Sequence, residues 1–275
     1  LGWQMVFLLM GLPSLLVALL FLTVKEPPRL APAADAVLVP TEVGLGRRIL
    51  TFMGLDALKA INAKPKVYYP LFAALALSAL DTFGLGFWQT PFMMRSFGWT
   101  PAQIGQLASV VGLVGSLLGL VLGGLLVEWL GKKHKDANVR AAAILFTCVT
   151  ICTISALLMP NGVASMVTFA AGGMFGIAGA VPQNAAIQRV APNDMRGQVT
   201  AFYLFMFTAF GAMGSWVVGR VQDIFIKVDH DLWKAMLIVA ATLLPIATLL
   251  MYRAIKPYRQ EVERLEALEK EVHNV

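Results

Sequence analysis

Asp81 is the one acidic side chain near the middle of any long apolar stretch in this 275-residue sequence, fifteen residues after Lys66 and fourteen before Arg95. Holding a carboxylate at such a depth in hydrocarbon costs roughly 2.5 to 3.5 kcal/mol on insertion scales. A basic partner would lower that cost, yet all 22 Lys and Arg sit at the ends of apolar stretches or between them. Either Asp81 carries a proton for much of the time, or its base comes from outside this chain. Both options suit a group that couples proton or solute movement to a water-filled cavity. Ser78, Thr82 and Gln89 lie at helical spacing on the same side. A carboxyl that only braces two helices, through Ser78 or a water, is the alternative reading.

A second polar group, Pro182, Gln183, Asn184 and Gln188, interrupts another apolar stretch, where polar side chains face protein or a cavity. Further chemistry lies in the turn from Gly123 to Lys135, Gly-Gly-Leu-Leu-Val-Glu-Trp-Leu-Gly-Lys-Lys-His-Lys. Gly124 is placed to let two helices approach closely, and Gly131 to end a helix where a left-handed residue costs little. Glu128, at the membrane surface, can accept hydrogen bonds from a neighbouring helix start and pair with a base. A basic loop that merely fixes topology accounts for the same residues. His134, His230 and His273 lie in loops or the tail without metal-ligand spacing, and no phosphate-binding Gly loop follows a strand. Cys148 and Cys152, four apart in an apolar run, read as structural. No enzyme chemistry, cofactor, metal or nucleic acid is therefore expected.

These groups need helices to hold them in a membrane. The chain is 58% hydrophobic and 14% charged, with mean hydropathy +0.71, which marks an all-α polytopic membrane protein. Seven spans fall at about 3–24, 68–94, 101–130, 139–159, 163–190, 195–220 and 232–253. This divides the chain into a first transmembrane helix (1–24), a central linker (25–66), a six-helix transmembrane bundle (67–254) and a tail (255–275). Thr100, Pro101 and Gln103 form a helix start with a capping box, and Pro160-Asn161-Gly162 a tight turn. Residues 47–63 have an apolar arc, broken by Leu55 and Leu58, that predicts an interfacial helix. The tail reads as a solvated helix in preference to a partner-binding one. The chain opens at Leu1 already entering a span, without a signal peptide's basic leader, and is expected to lack its natural beginning.

Four of the 22 bases, Arg95, Arg220, Lys227 and Lys234, fall on one side of the membrane, and all the others fall on the side of the linker, the Gly123 turn and the tail. That bias places the linker and C-terminus in the cytoplasm of a cell's inner membrane. The spans also repeat in kind. The first, fourth and seventh are plain and read as lipid-facing; the second and fifth are polar; the third and sixth carry Gly115, Gly119, Gly123 and Gly211, Gly214, Gly219. Two three-helix repeats preceded by one helix produce this order.

The turn at Gly124, Leu126, Glu128, Gly131, Lys132 and Lys133 resembles the Gly-x-Leu-Ala-Asp-Arg-x-Gly-Arg-Arg signature of the major facilitator superfamily. Glu128 stands for the Asp and Trp129 for the first Arg, the looser form found in the second half of those transporters. The stretch from Pro192 through Arg196 and Gly197 resembles the turn between their tenth and eleventh helices, although Gly214-Ser215 replaces a Gly-Pro that would kink the latter. Gly2-Trp3, Gly11-Leu12-Pro13 and Val24-Lys25-Glu26-Pro27-Pro28-Arg29 look like the sixth helix of the Spinster-like branch. The resemblance implies that sixth helix plus the C-terminal six-helix half of a secondary transporter, facing lipid, a small solute and protons, with an N-terminal half missing. It implies alternating access, proton-coupled symport or antiport of an organic anion or amphipathic lipid-like solute. Cavity residues would be Asp81, Ser78, Thr82, Gln89, Gln183 and Asn184. A cytoplasmic gate would use Gly124, Glu128, Gly131, Lys132, Lys133 and Arg196. A non-transporting receptor or scaffold, or a drug-efflux carrier of the same superfamily, is the alternative.

Overall fold

In hydrocarbon each backbone amide must find its partner within its own segment, so long apolar runs fold as helices. The computed structural model of the chain describes residues 3–21, 23, 55–192, 195–226, 228 and 231–273. The helices are α1 (Trp3–Phe21), α2 (Leu55–Ala63), α3 (Pro65–Phe97), α4 (Pro101–Gly131), α5 (Ala137–Leu157), α6 (Gly162–Val190), α7 (Arg196–Val221) and α8 (Leu232–His273). A π-helical turn, Gln222–Ile226, follows α7. Among the described residues, the six helices from α3 to α8 are long and apolar enough to cross a membrane. The uncharged α1, 19 residues long, lies in a separate unit and corresponds to the first of the seven expected spans.

Sequence signals set several helix ends. Thr100 caps α4 with a reciprocal capping box to Gln103 and Pro101 in the first turn. The Asn161 side chain accepts a hydrogen bond from the Ala164 amide at 2.7 Å to start α6. Gly98, with φ +69°, closes α3 in the left-handed conformation. Gly131 does not play that part: α4 ends there and runs on through Lys132 in right-handed backbone.

From α3 to α8 the helices form an arc in the order α4, α6, α5, α8, α3, α7, each packed along its neighbour. Exchanging α3, α4 and α5 for α6, α7 and α8 leaves this pattern of neighbours unchanged. The bundle is thus two three-helix repeats, interleaved so that each polar helix lies against the Gly-rich helix of the other repeat. Those two contacts are backbone to backbone. A Cβ on Gly84 of α3 would lie 2.8 Å from the Gly214 carbonyl oxygen, and one on Gly119 of α4 would lie 2.5 Å from that of Met174. Gly123 is pressed against the Ala178 carbonyl in the same way, whereas a Cβ on Gly124 would meet nothing within 4 Å. The close approach expected of Gly124 therefore belongs to Gly123, one position round the helix.

The plain helices α5 and α8 differ from expectation. Both are inner staves, each packed chiefly between two neighbours, and α5 is far more enclosed than α4. Alanine does there what glycine does elsewhere: Ala141, Ala142 and Ala143 on α5, and Ala240, Ala247 and Ala254 on α8, are enclosed. Their outer faces, with Ile144, Ile151, Ile246 and Leu249, remain uncovered, but the broad uncovered apolar faces are those of α4 and α7 at the ends of the arc.

The tail is not a separate solvated helix but the last turns of α8, with Tyr258 and Val262 buried. Asp136, wholly buried before α5, accepts from Arg140 at 2.7 Å and from Arg259 at 3.1 Å. Glu266 pairs with Lys135 and with Arg189 of α6, and Lys64 reaches both Glu261 at 2.9 Å and the Val190 carbonyl at 3.2 Å. The described part of the expected interfacial helix, α2, docks on α3 and α7 with Ile61 buried; 47–54 fall outside the described residues.

Two outcomes follow. Gly123→Ala overpacks the α4–α6 contact and should destabilise the bundle by roughly 1 to 3 kcal/mol, while Gly124→Ala is neutral or slightly stabilising; thermal unfolding in detergent compares them. Burial alone would raise the Asp136 carboxyl, but hydrogen bonds and charge from Arg140 and Arg259 outweigh it and hold the group below its ordinary value. A lowered folded-state value gives stability that is present above the unfolded carboxylate value of about 3.9 and lost as pH falls through the folded one. Unfolding followed against pH should therefore show an acid-side loss of stability that Asp136→Asn reduces.

Candidate functional site

Ser78, Asp81, Thr82, Leu85 and Gln89 fall at helical spacing and form one stripe of α3. On one flank of the stripe Phe83 and Gly84 pack against α7, which fixes the rotation of the helix. The stripe faces a cavity of about 450 Å³, within the range of drug-sized ligand sites. Across from it, α6 contributes Gly172, Gly173, Gly176, Gly179 and Gln183. Space is left there because side chains are missing: a Cβ on Gly86, Gly173 or Gly176 would meet nothing within 4 Å. Phe146, Phe169, Phe175, Tyr203 and Phe207 close the remaining walls.

Asp81 is only 3% exposed, and its Oδ1 has no hydrogen-bond partner. Ser78 does not brace it, since Ser78 Oγ donates to the Leu75 carbonyl of its own helix at 3.0 Å. Among the described residues, no Lys or Arg lines the cavity. Gln89 Nε2 donates to Met166 Sδ at 3.6 Å, a weak bond that engages only the amide nitrogen.

Of the six residues read from the sequence as cavity-lining, the structure brings together Asp81, Ser78, Thr82, Gln89 and Gln183. Asn184 is one step round α6 and off the cavity, its Nδ2 donating to the Ala180 carbonyl at 2.9 Å. The aromatic walls and the glycines of α6 were missed. The spacing of Gly172, Gly176 and Gly179 was the available signal, but glycine that makes room looks the same in sequence as glycine that lets helices touch.

The turn after α4 lies elsewhere, at the bundle end that holds the Asp136 cluster. Gly124, Glu128, Gly131, Lys132 and Lys133 are all exposed, and Glu128 pairs with Lys132 of the same turn at 3.8 Å. Arg196 is exposed at the start of α7, the other terminal stave of the arc. The structure does not join Arg196 to the turn. Lys135 and Asp136, just beyond the signature, are the residues of this loop that tie helices together.

A cavity with one polar stripe set in apolar walls, between two interleaved three-helix repeats, is the architecture of a membrane transporter rather than an enzyme. The Major Facilitator Superfamily model matches residues 1–215, and the chain belongs to that family. An MFS-type efflux pump of Mycolicibacterium smegmatis (strain ATCC 700084 / mc(2)155) is 24% identical over 268 residues, which are 95% of this chain and 58% of that protein. The crystal structure of a bacterial homolog to the human lysosomal transporter Spinster, inward-facing and unoccupied, is similar in fold with a TM-score of 0.50. It is 20% identical, over 95% of this chain and 59% of its own. The chain thus spans less than three fifths of the length of either relative. It is a multi-pass membrane protein of a transporter family, in contact with the bilayer.

Proposed function

We propose that this chain forms one wall of a secondary active transporter that works by alternating access, is coupled to protons, and carries an amphipathic solute. The observation that carries the reading is Asp81: a buried carboxyl with an oxygen left unpartnered, facing a cavity deep in the bundle. A carboxyl that only braced helices would find its partners in the protein. Aromatic and glycine walls favour an amphipathic solute over a small organic anion, for which this chain's cavity offers no base. Export, named for the mycobacterial relative, is the direction we assign.

The broad uncovered apolar faces of α4 and α7 support a second half of similar size packed across them, with the solute path between. In this reading the protein sits in the inner membrane of a cell, with the α4–α5 turn, the linker and the end of α8 in the cytoplasm, where the bias of basic residues puts them. The exposed signature residues Gly124, Glu128, Gly131, Lys132 and Lys133, with Arg196 across the arc, then act as a cytoplasmic latch against that second half.

Full-length protein in proteoliposomes tests the reading. Asp81→Asn should abolish pH-driven solute flux while leaving insertion and unfolding temperature intact. Wild-type pH dependence in the variant would refute proton coupling through this group, and binding without flux in the unmutated protein would make it a receptor. Glu128→Gln should leave stability within about 0.5 kcal/mol, since its Lys132 pair is exposed. It should nevertheless shift the transporter toward inward-open by ~1 to 3 kcal/mol, read as spectroscopic distances across the cytoplasmic face.

A further inference from the structure

Asp136 does more than tie α5 to α8. Wholly buried, it takes Arg140 Nε of α5 on one carboxylate oxygen and Arg259 Nε of α8 on the other, at 2.7 and 3.1 Å. One carboxylate thus holds two guanidinium groups side by side and neutralises the charge of only one. Each is bonded through Nε alone, so the Nη edges of both, which grip phosphate in fork geometry, meet no acceptor among the described residues. The two side chains are 29% and 42% exposed, and the pair can be reached from outside the bundle. Lys256 and Arg253, both exposed, add bases on the same side of α8. Glu263, the next acid on that side, lies a turn past Arg259 and away from the apolar run.

The arginine pair heads a seam on the outer face. On α5, Arg140, Ile144, Thr147 and Ile151 share one helical stripe; on α8, Thr248, Tyr252, Lys256 and Arg259 share another. The stripes abut, since Thr147 Oγ1 lies 3.3 Å from Tyr252 Oη and Thr150 Oγ1 lies 3.0 Å from Thr248 Oγ1. These hydroxyls begin seven residues from the arginines on both helices, about 10 Å deeper along the helix axis. Ile144, Ile151 and Leu249 leave the rest of the seam apolar and uncovered. Bases at the membrane surface, then hydroxyls, then hydrocarbon is the order in which a phospholipid presents phosphate, glycerol esters and acyl chain.

We infer that the α5–α8 seam is a binding site for an anionic phospholipid of the leaflet at the basic end of the bundle. Its phosphate rests on the Nη edges of Arg140 and Arg259 with Lys256 alongside, and an acyl chain runs over Ile144, Ile151 and Leu249. A zwitterionic lipid offers the same phosphate and chains but brings an ammonium group against a site of net positive charge. Inorganic phosphate has the charge and nothing for the apolar seam. Such a site requires only that the chain spans a membrane, and it stands whether or not the protein transports.

Native mass spectrometry of the full-length protein, delipidated in detergent and titrated with dioleoyl phosphatidylglycerol or dioleoyl phosphatidylcholine, reads the first lipid bound. Phosphatidylglycerol should bind about tenfold tighter than phosphatidylcholine. Lys256→Gln should weaken phosphatidylglycerol by roughly fivefold, the effect of one base near a membrane surface, and leave phosphatidylcholine unchanged. Arg196→Gln, the same loss of charge at the start of α7, should leave both unchanged. Arg140→Gln with Arg259→Gln, whose amides can still reach Asp136, should abolish the preference. A phosphatidylglycerol with a photoactivatable diazirine in its acyl chain should label the peptides that contain Ile144, Ile151 or Leu249. Equal binding of the two lipids by the unmutated protein would overturn the site, and labelling confined to other helices would place the lipid elsewhere and overturn it too. Equal weakening by Lys256→Gln and Arg196→Gln would reduce it to the diffuse attraction of a basic surface. Displacement of the lipid by excess inorganic phosphate would make it a site for a soluble anion and overturn the lipid. None of these outcomes requires the double arginine variant to fold.

Discussion

Two backbone contacts set the shape of this bundle: α3 on α7 at Gly84 and Gly214, and α4 on α6 at Gly119 and Gly123. Lipid is as apolar as leucine, so burying hydrocarbon gives helices in a bilayer little reason to associate, and close packing of main chains supplies much of it. Each contact presses a polar helix onto the Gly-rich helix of the other repeat. The rotation so imposed turns the Asp81 stripe of α3 and the glycine face of α6 inward onto one cavity. Lose either contact and the polar stripes are no longer aimed.

The two ends of the arc differ from its middle. α5 and α8 are tied to their neighbours by alanine faces in the membrane and, at the basic end, by the charges around Asp136 and Glu266. Lys64 sits just before α3, and Arg140, Arg189 and Arg259 come from α5, α6 and α8, so these ion pairs fasten the start of α3 and the three other helices together at one end of the bundle. These ties join both repeats at that end of the bundle, which suits the proposed alternating access, in which one repeat bundle would rock against another.

Much of this was legible in the sequence, for reasons that can be given residue by residue. The apolar runs set the spans, Thr100 and Asn161 set helix starts, and the cost of an unpaired Asp81 in hydrocarbon picked out the cavity stripe before any contact was known. The repeat also showed, because glycine and polar residues recur with the same order in both halves. What failed turned on helix rotation or on residues that serve two purposes. Gly123 and Gly124 are adjacent and chemically identical, and only the packed partner distinguishes the one that touches Ala178. Alanine is common in apolar helices, so the enclosed Ala240, Ala247 and Ala254 did not look like an interface, although their spacing of seven is one. The tail's apolar residues were seen, but the partners that bury Val262 lie far away in the chain.

The central claim is that the α3 stripe lines a path that opens to one side of the membrane at a time. A single cysteine at Gln89, in a background where Cys148, Cys152 and any other cysteine are replaced, reports this through a membrane-impermeant thiol reagent applied from either side. The account predicts labelling from one side in the resting protein and from the opposite side when the solute or pH gradient is reversed, with protection by bound solute. Labelling from neither side, or from the same side under both gradients, would contradict it.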